Sequence, residues 1–208
     1  MFRGIDNLFP IPIGWYKNEE GLTKIEKKFL IEDQEEKPNE GNTTSKFRRI
    51  LHDKKCESLK QFVEESLENY FDQVYKPKSD VEPYITQSWC NYSKTGQWHH
   101  KHRHPNSFIS GVYYIQADVT DKIQFFHPKQ YHQIRIHPPR DFNTWNSESW
   151  WYGIETGLLV LFPSSLEHFV PPVTAKQTRI SLSFNTFLKG MVGDNDSLTG
   201  LEIENTKY

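Results

Sequence analysis

The sequence predicts a mainly β domain, an antiparallel sandwich or barrel braced by N-terminal helices, and three observations predict it. The first is a change of rhythm near Val81, where helical periodicity gives way to short β-rich runs separated by turn signals. The second is a strong amphipathic helix over Cys56 to Tyr75. Leu59, Phe62, Val63, Leu67, Tyr70, Phe71 and Val74 recur there at three- and four-residue steps and form one apolar stripe. The third is the strand Arg179–Phe187, whose polar Arg179, Ser181, Ser183 and Asn185 alternate with Ile180, Leu182 and Phe184.

The elements follow in order. LFPIPIGWY, residues 8–16, reads as an extended edge segment because its two prolines forbid a helix or a central strand. Leu22 to Ile31 is a helix candidate, and the polar stretch 33–46 reads as a loop. Strands are expected over Tyr84–Tyr92, Phe108–Ile115, Ile123–Phe126, Gln133–Ile136, Gly157–Phe162 and Arg179–Phe187. The 208 residues suit one domain, with an extended start and support helices over 1–80, a β core over 81–188 and a tail over 189–208.

Composition narrows the function. The 25 basic and 27 acidic side chains nearly cancel, which argues against a nucleic-acid partner bound through bulk positive charge. The two cysteines, Cys56 and Cys90, show no CxxC spacing. No apolar run approaches the roughly 20 residues of a membrane helix, and the first residues lack the apolar core of a signal peptide. The expectation is a cytoplasmic protein with ordinary thiols and no membrane partner.

Five of the nine histidines fall in two places. Residues 98–105 read WHHKHRHP, and in an extended chain His100, His102 and His104 share a face while His99 points away. An H-x-H pair can give two imidazoles to one metal ion. With Lys101 and Arg103 between the histidines, a solvated basic loop is the competing reading. His168 follows the buried-strand run GLLVLFP, and Arg179 comes eleven residues later. If the polar face of the last strand turns inward, Arg179 needs an anionic partner, since a buried guanidinium without one is costly. A carboxylate ligand would satisfy its planar fork.

These segments in this order resemble the 2-oxoglutarate/Fe(II)-dependent dioxygenases. HKHRHPNSFISGVYYI, GLLVLFPSSLEHFVPP and RISLSFN are similar to a branch of that superfamily known from bacteria and bacteriophages, and LFPIPI resembles the branch's usual start. The resemblance implies a double-stranded β-helix (jelly-roll) with helices on one side of its major sheet. It implies Fe(II), 2-oxoglutarate and O2 as cofactor and cosubstrates, with ascorbate as a stimulant. It also implies hydroxylation of a small-molecule or peptidyl substrate with release of succinate and CO2. Carried over by residue, His168 is the distal iron ligand, and Arg179 and Ser181 hold the far carboxylate of 2-oxoglutarate. Tyr92 or Asn91, and Asn185, add hydrogen bonds to the cosubstrate.

The departure lies at the first motif, where His102-Arg103-His104 stands in place of the usual H-x-D or H-x-E. Either His104 replaces the carboxylate, giving His102, His104 and His168 as the ligand set, or His100 pairs with His102. The stretch His127 to Tyr152, with Tyr131, Trp145, Trp150, Trp151, Arg135, Arg140 and the Pro138-Pro139 pair, is either a source of substrate contacts or an aromatic loop packed over the barrel end. Two rivals accompany the oxygenase reading. One is a cupin-type three-histidine dioxygenase that does not use 2-oxoglutarate; the other is a non-catalytic jelly-roll binding module.

Overall fold

The first helix, α1 (Lys24–Ile31), starts at a capping box. Thr23 accepts from the Glu26 amide at 3.2 Å, and the Glu26 carboxylate accepts from the Thr23 amide at 2.8 Å. The other oxygen of Glu26 accepts from the Leu59 amide at 2.6 Å. One buried carboxylate therefore ties α1 to the first turn of α2 (Glu57–Tyr75). Lys76, in a left-handed conformation, ends α2. The stripe Leu59, Val63, Leu67, Tyr70 and Phe71 is buried against a sheet.

The structure, a computed structural model, describes residues 3–78, 80–128 and 139–204. The sheet under α2 has eight strands. They are β1 (Gly14–Lys17), β2 (Glu36–Asn39), β3 (Asn42–Ser45), β4 (Glu82–Ser93), β6 (Ile109–Gln116), β9 (Leu158–Pro163), β11 (Arg179–Val192) and β12 (Leu201–Ile203). Their order is β1-β9-β6-β11-β4-β3-β2, with β12 paired to β11. A second sheet, β5-β10-β7-β8, holds β5 (His99–His102), β7 (Lys122–Phe126), β8 (Ser149–Gly153) and β10 (His168–Val170). The fold is mainly β, with all these pairings antiparallel, in a double-stranded β-helix. No helix among the described residues is long and apolar enough to cross a membrane.

The large sheet separates two materials by strand alternation. Toward the helices point Cys90 and Tyr92 of β4, Tyr113 and Ile115 of β6, Leu159 and Leu161 of β9, and Ile180, Leu182 and Phe184 of β11. Between the sheets lie Tyr114, Val160 and Phe162, with Ile123 and Phe125 from the second sheet. Gly111 is required where β6 crosses β11, because a Cβ there would stand 2.1 Å from the Phe184 ring.

Two sequence expectations need revision, and a third falls outside the described residues. Residues 33–46, expected as a loop, contain the hairpin β2–β3, turned at Gly41 with φ +83°. Pro38 is accommodated because β2 is the outermost strand, where a missing N–H costs no ladder bond. Part of the expected tail is strand, since β11 runs on to Val192 and pairs with β12. The expected strand Gln133–Ile136 lies outside the described residues.

Candidate active site

Two short strands bring the histidines together. β5 and β10 are antiparallel neighbours in which His102 is the register partner of His168, and their ring centroids are 4.3 Å apart. Just past β5, the His104 amide donates to the Ser164 carbonyl at 3.0 Å. This fixes the His104 ring over His168, with planes 10° apart and the two Nε2 atoms separated by 3.4 Å. One ring nitrogen from each of His102, His104 and His168 lies within 4.8 Å of the others.

The surroundings prepare these rings as neutral donors. Nδ1 of His102 lies 2.6 Å from the His100 carbonyl, and Nδ1 of His168 lies 3.1 Å from the Leu166 carbonyl. With each Nδ1–H donating to its carbonyl, each Nε2 keeps a bare lone pair. Burial holds the His168 imidazolium well below its ordinary pKa, with His102 and His104 adding to the effect. Burial, then His102, pulls His104 down to about 4, and burial lowers His102. Three neutral, converging imidazoles fit a borderline divalent ion such as iron, nickel or zinc. Two nitrogens at about 2.0–2.2 Å from one ion lie no more than about 4.4 Å apart, so the 3.4 Å separation is compatible. Among the described residues no carboxylate joins this set.

The cavity these rings line also contains a guanidinium. Arg179 is 4 % exposed; its Nη2 donates to Ser93 Oγ at 3.1 Å, and its Nη1 stands 3.7 Å from the buried Asp121 carboxylate. Burial lowers its pKa, while Tyr114 and Asp121 oppose that shift. Two polar atoms facing this space are shielded from solvent and lack a hydrogen-bond partner: the Tyr114 hydroxyl and Asn91 Oδ1. Such orphans in a native interior mark a place for a missing partner. A carboxylate accepting from Arg179 and Tyr114 would supply the hydroxyl's partner, while Asn91 Oδ1 calls for a donor, so the lining fits an organic acid as well as a metal ion.

The sequence-predicted residues divide between the two faces of the large sheet. Arg179, Ser181 and Asn91 line the cavity. Tyr92, the residue after Asn91, faces the other way, and its hydroxyl donates to the Leu30 carbonyl at 2.7 Å in the helix-side core. Period-two alternation allows only one of this pair inside. Asn185 is spent elsewhere, its Oδ1 accepting from Ser110 at 3.2 Å. His99, expected to point away, lines the cavity. The reason is a β-bulge: His168 pairs with His102 but Val170 with His99, so β5 spends one extra residue and its facing parity changes. His100 stands with His99 and His102 in a separate group. Tyr114, Ser93 and Asp121 were missed, and Ser183 was placed on the polar face without a role. Tyr114 was the most findable, since alternation along Ser110-Gly111-Val112-Tyr113-Tyr114 puts it opposite the helix-facing Tyr113.

Beside the cavity runs a wider, more open groove, bounded by the N-terminal segment and by Phe126, Trp145, Trp150 and Tyr152. Phe125 and Leu166 line it and also touch His168, the first by ring contact at 6.3 Å and the second through its carbonyl. Trp151 lies instead under Lys122, 3.8 Å from its centroid. Tyr131, Arg135 and Pro138 lie outside the described residues.

Residues 87–185 match the sequence family described as "Putative 2OG-Fe(II) oxygenase". No curated protein matches the chain. Among solved structures, the chain is similar to the non-heme alpha-ketoglutarate-dependent carbocyclase SnoK of nogalamycin biosynthesis. That match has 10% identity and a TM-score of 0.59, covering 95% of this chain and 90% of that one. Streptomyces hygroscopicus HygX, solved with nickel, 2-oxoglutarate and hygromycin B, matches at 8% identity and TM-score 0.54 over 85% of this chain and 82% of that one. A Pseudomonas putida prolyl-4-hydroxylase matches at 15% identity and TM-score 0.51 over 83% and 92% of the two chains. At these identities the likeness is one of fold. The matched segment, just under half of the chain, and the shared jelly-roll point to an enzyme of the 2-oxoglutarate/Fe(II) oxygenase family, an oxidoreductase family that implies iron and 2-oxoglutarate.

Proposed function

We propose that the enzyme, acting as a single domain over residues 1–208, hydroxylates a small-molecule or peptidyl substrate with His102, His104 and His168 holding Fe(II). In this reading Arg179 and Ser181 receive the far carboxylate of 2-oxoglutarate, Tyr114 donates a further hydrogen bond to it, and Asn91 orients the inner end. The observation that carries the reading is one cavity in which three neutral imidazoles and a buried guanidinium face the same space. Bound iron, 2-oxoglutarate and O2 would supply the oxidising chemistry, ending in succinate, CO2 and hydroxylated product, with ascorbate as a stimulant.

The protein's own part is orientation, charge balance and exclusion of water. The carbonyls of His100 and Leu166 fix the tautomers of His102 and His168. Three neutral ligands leave the ion both of its positive charges, matching the two negative charges of the cosubstrate, while Arg179 and Asp121 balance each other. Phe125 and Phe162 pack on His168 and keep water from that side. The aromatic groove would receive the substrate, since it reaches His168 through Phe125 and Leu166.

The all-imidazole ligand set favours a second reading, a cupin-type dioxygenase without 2-oxoglutarate. The two separate on the Fe(II)-loaded protein under anaerobic conditions. The first expects a visible absorption band on addition of 2-oxoglutarate, followed in air with ascorbate by succinate formation. Iron binding with no band and no succinate overturns it in favour of the second.

A further inference from the structure

The histidine run contains a second convergent set. One ring nitrogen from each of His99, His100 and His102 lies within 4.8 Å of the others. The extra residue at the β5 bulge lets adjacent side chains share a side. The His99 and His100 rings stack at 4.9 Å with planes 18° apart, and their centroids stand 4.6 and 4.8 Å from that of His102. A solvated basic rim does not account for His100, whose Nδ1 is shielded from water and has no hydrogen-bond partner. A carboxylate oxygen of Glu40 stands 3.7 Å from that nitrogen, on a side chain 66 % exposed and free to rotate toward it.

We propose that His99, His100 and His102, completed by Glu40, form a second divalent-cation seat at the rim of the cavity. It shares His102 with the inner set of His102, His104 and His168, and rests on the proposed function only for the role of that inner set. His102 keeps Nδ1 at the His100 carbonyl, 2.6 Å away, so it has one nitrogen to offer. The two seats therefore compete. Imidazole nitrogens bind Ni2+, Cu2+ and Zn2+ more tightly than Fe2+. An ion of that kind on the outer seat withdraws His102 from the inner one, making the outer seat an inhibitory site for such metals.

The test measures Zn2+ binding by calorimetry and by metal content after dialysis, with folding checked by circular dichroism. In a variant carrying His104→Gln and His168→Gln, which keep side-chain volume, one Zn2+ per chain is expected to remain. It is lost when His99→Gln and His100→Gln are added. In the His99→Gln/His100→Gln protein alone, Fe2+ binding is expected to persist, and the Zn2+ needed to displace that Fe2+ rises at least about tenfold. The proposal is overturned if folded His104→Gln/His168→Gln protein binds no Zn2+, or binds one that survives loss of His99 and His100. Failure of the inner set looks different: the His99→Gln/His100→Gln protein then holds no Fe2+, while the His104→Gln/His168→Gln protein still binds one Zn2+. Should His104→Gln/His168→Gln fail to fold, the displacement measurement on His99→Gln/His100→Gln decides alone, and an unchanged Zn2+ requirement overturns the proposal.

Discussion

On the helix side of β11, Ile180, Leu182 and Phe184 are almost solvent-free among apolar neighbours; on the other side, Arg179, Ser181 and Ser183 are nearly as buried yet face a cavity. Burial is alike and the chemistry opposite. One face is held by apolar contact and needs nothing further. The other leaves Tyr114 and Asn91 with unused polar atoms, so it is complete only with a ligand. Substitutions on the helix face should lower stability with the site's preferences unchanged, and those on the inner face should do the reverse.

The largest effect is expected at His168. His168→Gln removes an imidazole whose ring packs on Phe162 at 4.8 Å while roughly preserving volume. Fe2+ affinity should fall by at least about 100-fold, measured by competition with a chromophoric chelator, with the unfolding midpoint of the metal-free protein little changed. On the opposite face, Leu182→Ala should cost about 2–5 kcal/mol in urea unfolding, with Fe2+ affinity of the remaining folded protein intact. If Leu182→Ala weakened Fe2+ as much as His168→Gln does, the division between the faces would be wrong.

The alternation that creates this division was readable in the sequence, which placed Arg179 and Ser181 on one face; the resemblance to the oxygenases turned that face inward. The resemblance left Tyr92 and Asn91 as alternatives, and alternation decides between them, since adjacent strand residues cannot share a face and Tyr92 turns to the helices. Parity failed at His99 because a bulge leaves no mark in a run of histidines: its cause is the pairing of β5 with β10, sixty-odd residues downstream. Asp121 was not legible either. It becomes a site residue only because β6 and the turn after it carry its carboxylate to Arg179, a contact with no local signature. The hairpin β2–β3 was hidden by its polarity, and its strand character comes from the register of Thr43 and Thr44 with Tyr92 and Asn91.

Arg179 provides a middle-sized test. Arg179→Lys keeps a positive charge opposite Asp121 but gives up the planar fork that matches a carboxylate. The 2-oxoglutarate concentration that half-saturates the anaerobic absorption band should rise about 10- to 100-fold, with Fe2+ affinity unchanged. Arg179→Ala is the poorer probe, because it strands the buried Asp121 carboxylate and mixes a stability loss with the binding loss. An unaltered 2-oxoglutarate requirement in Arg179→Lys would move the carboxylate's seat elsewhere in the cavity.

The smallest effect is the most discriminating, because its sign depends on whether ligand is present. Tyr114 is 2 % exposed, and its hydroxyl is shielded and unpartnered. In the ligand-free protein this hydroxyl has given up water for nothing, so Tyr114→Phe should stabilise the fold by about 1 kcal/mol. With 2-oxoglutarate bound, the same substitution removes a donor aimed at a carboxylate and should weaken binding about tenfold or somewhat less. A thermal-shift series with and without 2-oxoglutarate reads both: the variant melts higher alone and gains less from the ligand. If Tyr114→Phe instead lowers the melting temperature of the free protein, the hydroxyl already has a partner, and the inner face is less dependent on its ligand than its orphaned atoms indicate.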